Sequence, residues 1–167
     1  MFGKILNLFK NSETPPFSAS VKNAVQSTFA DLDWGSADTR TGASLYLILS
    51  KQFDLIGKPE GLFPYVPPFA SEKARGALLG TSIAIAQQQY GQPSQQSIID
   101  AAVATFSLAY GEENGRFYAM QTMRDSADGN EAINFASDWA VKDTKSANDA
   151  QSSATPAAFY LAVAGMI

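Results

Sequence analysis

The chain contains no histidine and no cysteine. These are the side chains most used for acid–base work, nucleophilic attack and soft-metal binding near neutral pH. Their absence excludes thiol chemistry, disulfides, Ser-His-Asp and Cys-His arrangements, and the nitrogen–sulfur sites that hold zinc. Charge is scarce as well. Only 17% of residues are charged, against about 25% in ordinary globular proteins. Twelve lysines and arginines are outnumbered by sixteen acidic residues, for a net charge of −4. Nucleic-acid binding draws its affinity from phosphate neutralisation by basic side chains, so it is not expected here.

Long apolar runs are missing too. No segment approaches the roughly 18 consecutive apolar residues of a membrane span. The best candidate, residues 77–86, is interrupted by Thr81 and Ser82 and stops at Gln87. The first residues lack the longer apolar centre and small-residue cleavage site of a secretory signal, so the expected location is cytoplasmic. There is no glycine-rich phosphate loop. The acidic stretches 31–35 and 125–131 do not match the twelve-residue calcium loop, and turn and cap roles account for both. No cofactor and no metal is expected.

What is present is alanine, polar uncharged residues and helical spacing. At 167 residues and 46% hydrophobic content the chain reads as one domain able to bury a core unaided. Phe2, Ile5, Leu6 and Phe9 fall at i, i+3, i+4 and i+7, one apolar helical face, with Lys4, Asn7 and Lys10 off it. Polar residues and then Pro15 and Pro16 set this segment apart as a short stiff linker. The expected organisation is therefore an amphipathic segment over 1–16 and a single helical domain over 17–167.

Within that domain the spacing predicts a helix from Ser18 or Ser20 to about Leu32. A second runs from about Ser36 to Ile56, with the all-apolar centre Leu45 to Leu49 marking it as the central buried helix. Two more run from Ser71 to Tyr90 and from Ser94 to Tyr110, each stopped by a glycine. A fifth, about Arg116 to Ser126, carries Phe117, Met120 and Met123 as its apolar residues. Asp128 and Glu131 fit a capping box for a sixth helix to about Lys142, with Ala132, Phe135, Ala136 and Trp139 on one face. Residues 144–154 read as a mobile loop. Thr155 and Pro156 then open a last helix carrying Phe159, Ala162, Val163 and Met166, and this apolar tail is expected to dock on the core. The fold class is all-α, a compact array of six to seven helices with one long Pro/aromatic-rich loop.

That loop spans about residues 57–69. It holds four of the eight prolines (Pro59, Pro64, Pro67, Pro68) together with Phe63, Tyr65 and Phe69. It cannot be a regular helix, and loops of this length are functional or packed down by their own side chains. Pro64 and Pro67 give the minimal spacing read by SH3-type grooves, although no basic residue stands beside them. The plainer expectation lays the loop on the core with the three aromatics as anchors. Were they to stand in solvent, Phe63, Tyr65 and Phe69 would form a partner site.

Phe2, Ile5, Leu6 and Phe9 are the other partner-binding candidates, through fold-back, self-association or docking in a groove; weak peripheral membrane contact comes last, since two lysines add only about 1 kcal/mol each. Gly76, Gly80 and Ala84 form a small-residue stripe suited to close helix packing or to a seam between two copies. Carboxylates are the only catalytic material. Glu112 and Glu113 beside Arg116 are the densest group, and Asp54 and Asp100 lie in apolar stretches. The functional expectation is a non-enzymatic protein-interaction module, an adaptor, chaperone-like or accessory protein. The alternatives are a carboxylate-based hydrolase, which needs two carboxylates in one cleft, and a binder of a small apolar ligand in a pocket lined by residues such as Phe106 and Trp139.

Overall fold

Serine opens three helices and glycine closes two of them, so local chemistry sets most of the element boundaries. The computed structural model describes residues 35–147 and 155–167. The expected amphipathic start with Phe2, Ile5, Leu6 and Phe9, the proline linker and the helix to Leu32 lie outside the described residues. The helices are α1 (Ala37–Leu55), α2 (Glu72–Tyr90), α3 (Gln95–Tyr110), α4 (Glu112–Ala127), α5 (Glu131–Ala147) and α6 (Ala158–Val163). All regular structure among the described residues is helical, which makes the domain all-α, a compact array of six helices. The side chains of Ser36, Ser71 and Ser94 accept the N–H of Thr39, Ala74 and Ser97 at 3.3, 3.2 and 3.0 Å. Each satisfies one of the N–H groups that a helix start leaves without a partner. Gly91 and Gly111 end α2 and α3 at φ 71° and 95°, a region that side chains disfavour.

Three boundaries differ from the expected ones. α4 begins at Glu112, a full turn before Arg116, because Gly111 closes α3 and opens α4 with no loop between them. Glu112 and Glu113 thus stand in a helical first turn, where the helix dipole favours negative charge. The cap of α5 is Asn130, whose Oδ1 accepts the N–H of Ile133 at 3.0 Å, in place of Asp128. α5 also continues past Lys142 to Ala147, so residues 144–147 are helix, not loop; Thr144 is fully buried. Residues 148–154 lie outside the described residues.

The central helix is α2, not α1. It packs against all five others, and residues 76–82 are buried without a break. Its small side chains allow neighbours on every side. Thr81 and Ser82 enter this apolar setting by bonding their hydroxyls to the carbonyls of Ala77 and Leu78 at 2.9 Å. On α1, by contrast, Leu45, Ile48 and Leu49 are buried while Tyr46 and Leu47 are only half-buried. The stripe of Gly76, Gly80 and Ala84 is inside the domain. A Cβ on Gly76 would overlap the Ile133 carbonyl oxygen and lie 2.9 Å from Ile133 Cα; one on Gly80 would lie 2.8 Å from Ser137 Cα. Ala84 is 1% exposed. The stripe therefore seats α5 of the same chain and is closed to a second copy.

The tail docks on the core, as its apolar content predicts. Phe159 is fully buried, edge-on to Phe53 at 5.7 Å, and Lys73 Nζ donates to the Ile167 carbonyl at 2.8 Å. Met166, expected to share the buried face, lies beyond the end of α6 and is exposed. Thr155 does not cap α6. Asp143 Oδ2 accepts the N–H groups of Ala157 and Ala158 at 2.7 and 3.1 Å, and Gln52 Oε1 accepts those of Phe159 and Tyr160 at 2.8 and 3.2 Å. Two side chains from distant helices thus receive four successive amides.

Asp143 gives this clamp a pH signature. Burial raises its pKa above the usual carboxylate value, against the two backbone donors that pull it down. A raised carboxyl favours the folded state most in its protonated form. That contribution is fully present below the unfolded pKa near 4 and is lost as pH rises through the folded value. Asp143→Asn keeps an acceptor and removes the charge. Its stability relative to wild type should be higher at about pH 7 and fall back toward zero at about pH 4. Urea unfolding at the two pH values measures this; a variant that loses stability at pH 7 alone would contradict it.

Candidate functional site

The site grows from the direct joint between α3 and α4. Glycine at position 115 lets the two helices close up: a Cβ there would lie 2.6 Å from both Cα and N of Ser107. Ala119 and Thr122 continue the same inward face and are fully buried. Residues two positions away along a helix are rotated by about 200°, onto the opposite side. Glu113, Phe117, Met120 and Arg124 accordingly face outward, and all four are exposed. Phe117 is 66% exposed and Met120 42%. These two large apolar residues are on the surface, because the small residues of α4 take the inward side.

The proline-rich loop supplies the rest. Its backbone is tied to the end of α3: the Phe63 N–H donates to the Ala109 carbonyl at 2.7 Å, and the Tyr110 hydroxyl donates to that of Phe69 at 2.8 Å. Phe63 is 3% exposed, edge-on to Phe53 at 5.0 Å and stacked on Phe69 at 4.9 Å. Tyr65 lies flat on Tyr118 with ring centroids 3.5 Å apart and meets Tyr110 edge-on at 5.0 Å. Its hydroxyl pKa is raised by burial and held back by the nearby guanidinium of Arg75. Arg75 in turn bonds Asp125 at 2.7 Å. Phe63, Tyr65 and Phe69 are thus turned toward the domain.

Between these anchors the loop turns two other residues outward. Leu62 is 57% exposed and Val66 54%. Leu62 also has φ of 54°, the positive-φ residue among the described residues that is not glycine. Its carbonyl accepts from Lys58 Nζ at 2.8 Å and the next N–H is fixed on α3. A left-handed leucine costs on the order of 1–2 kcal/mol, and such strain persists where the surroundings enforce it. Leu62 stands over the joint, its Cδ2 near Gly111. Phe117 meets Tyr118, the ring on which Tyr65 lies, at 5.5 Å. Leu62 and Val66 on the loop, and Phe117 and Met120 on α4, are thus exposed apolar side chains of the two elements that meet beside this joint. Phe135 and Met166 are also exposed, near the tail.

The carboxylate and pocket candidates do not converge in the same way. Glu112, Glu113, Asp54 and Asp100 are exposed on separate helices or ends, and Asp100 accepts from Gln96 at 2.8 Å. Among the described residues no three acidic side chains gather as a cation site. Asp143 is occupied with the α6 amides. An open pocket of about 640 Å³ at the end of α2 is lined by Ala84, Gln87, Gln88, Gly91, Gln92, Pro93 and Lys145. Neither Phe106 nor Trp139 lines it, and Phe106 is fully buried. No described helix is long and apolar enough to cross a membrane.

No protein-family model, curated protein or solved structure matches this chain.

Proposed function

We propose that this protein is a non-enzymatic protein-interaction module, an adaptor or accessory protein that docks through the α3–α4 corner. One observation carries the reading: Leu62, Val66, Phe117 and Met120 are large, apolar and exposed on the loop and the helix that meet beside Gly111. Scattered exposed hydrophobics are ordinary on a soluble surface, whereas grouped ones mark interaction sites. The strained backbone at Leu62 adds weight, because it holds a leucine in solvent at a cost to folding. The pattern of Phe2, Ile5, Leu6 and Phe9 supports a second docking element in residues 1–16.

A photo-reactive phenylalanine analogue placed at Phe117 tests this in native extract. The expected result is a discrete protein adduct, which Leu62→Gly weakens severalfold. Glycine relieves the left-handed strain and adds unfolded-state freedom, two effects of about 1 kcal/mol that oppose each other. The variant should therefore hold its melting temperature while losing adduct. Absence of any adduct at position 117 would contradict the proposal.

A further inference from the structure

The outward stripe of α4 says which partner it fits. Glu113, Phe117, Met120 and Arg124 follow one another at spacings of four, three and four residues. That is the a/d spacing by which one helix seats along another. The stripe has an acidic end, an apolar centre and a basic end. Glu113 stands in the first turn and Arg124 in the last. Turned end for end, such a stripe matches itself.

Resting on the interaction-module reading, we propose that α4 docks antiparallel on α4 of a second copy of this chain. In that arrangement residue positions sum to a constant across the two-fold axis. Phe117 lies against the partner's Met120, and Glu113 against the partner's Arg124. Each contact occurs twice, as a self-complementary two-fold interface requires. A parallel pairing would place Glu113 beside the partner's Glu113 and Arg124 beside the partner's Arg124, so charge selects the antiparallel form. Gly115, Ala119 and Thr122 occupy the other side of α4 against its own domain, which leaves the stripe clear for this contact. Leu62, beside Gly111 at the start of α4, reaches the last turn of the partner's helix and extends the apolar contact beyond the central pair. Three turns of helix and a flanking leucine make a small interface, of the kind that assembles reversibly.

Charge reversal tests this on the full chain, by sedimentation velocity over about 1–300 µM, a range suited to a weak dimer. Wild type should shift from monomer toward dimer across that range. Glu113→Arg and Arg124→Glu each turn two attractive pairs into two repulsive ones and should raise the dissociation constant at least about tenfold. Mixed one to one, the two variants should regain wild-type association, because every facing pair is then opposite in sign. The double variant E113R/R124E should regain it alone. Glu113→Gln and Arg124→Gln, each expected to weaken the dimer less, keep the test decisive if reversal lowers the helix content. A monomeric wild type, or variants that associate no better mixed than separate, would overturn the proposal. A monomer that still gives an adduct from position 117 with another protein would overturn self-docking and leave the module reading standing; a monomer with no adduct would overturn both.

Discussion

Gly80→Ala should lower the melting temperature by about 6–12 °C. In an ordinary helix interior the change would stabilise, since alanine is favoured over glycine by about 1 kcal/mol. Here the added methyl meets the backbone of Ser137, with Cα only 2.8 Å away and the carbonyl closer still. Backbone is the least compliant neighbour a methyl group can have, so α5 must move off α2. Over-packing of this kind costs about 3 kcal/mol, and each kcal/mol shifts the midpoint of a domain this size by about 2–4 °C. Because the two effects have opposite signs, the direction of the shift alone is decisive. A rise would mean that α2 and α5 do not approach through this stripe. Differential scanning calorimetry of the single variant is sufficient.

Gln52→Leu is expected to cost about 2–4 kcal/mol, for a different reason. Gln52 is fully buried, and its Oε1 receives the N–H groups of Phe159 and Tyr160. A helix of six residues does not form from local propensity alone. The start of α6 depends on acceptors supplied by α1 and α5. Leucine fills the space and leaves two buried amides without acceptors, at about 1–3 kcal/mol each. Part of this is returned, because Gln52 Nε2 is itself buried with no bonded partner. The loss should be local as well as global. Hydrogen exchange at Phe159 and Tyr160 should accelerate more than exchange in α2. Unchanged protection of those two amides would show that the tail is held by its apolar contacts alone.

The same two residues show where sequence was readable and where it was not. Helix starts and stops are local matters, and Ser36, Ser71, Ser94, Gly91 and Gly111 stand where their chemistry says they should. The small stripe of Gly76, Gly80 and Ala84 also reads directly as close packing. The cap of α6 does not, because Gln52 lies 107 residues from Phe159 and nothing near Thr155 announces it. The inward faces of α4 and α5 are not legible in the same way, for a physical reason. Hydrophobic spacing marks Phe117, Met120 and Phe135 as apolar positions of their helices without saying which side they face. In this fold the helices meet through small residues instead: Gly115 and Ala119 on α4, Ala136, Ser137 and Ala140 on α5. Two stripes run along α4 on opposite sides, and the glycine in one of them was the available signal. Leu62 lay beyond sequence reading, since nothing local predicts a left-handed leucine.

The absence of native cysteine makes the account directly testable, because a single introduced thiol is the only one in the molecule. Phe117→Cys and Ala119→Cys place that thiol on the two sides of α4, two residues apart. Maleimide labelling of the folded protein, under conditions where the chain stays native, should be fast at position 117 and strongly protected at 119. Protection at 117 with rapid labelling at 119 would reverse the helix and remove the docking surface altogether.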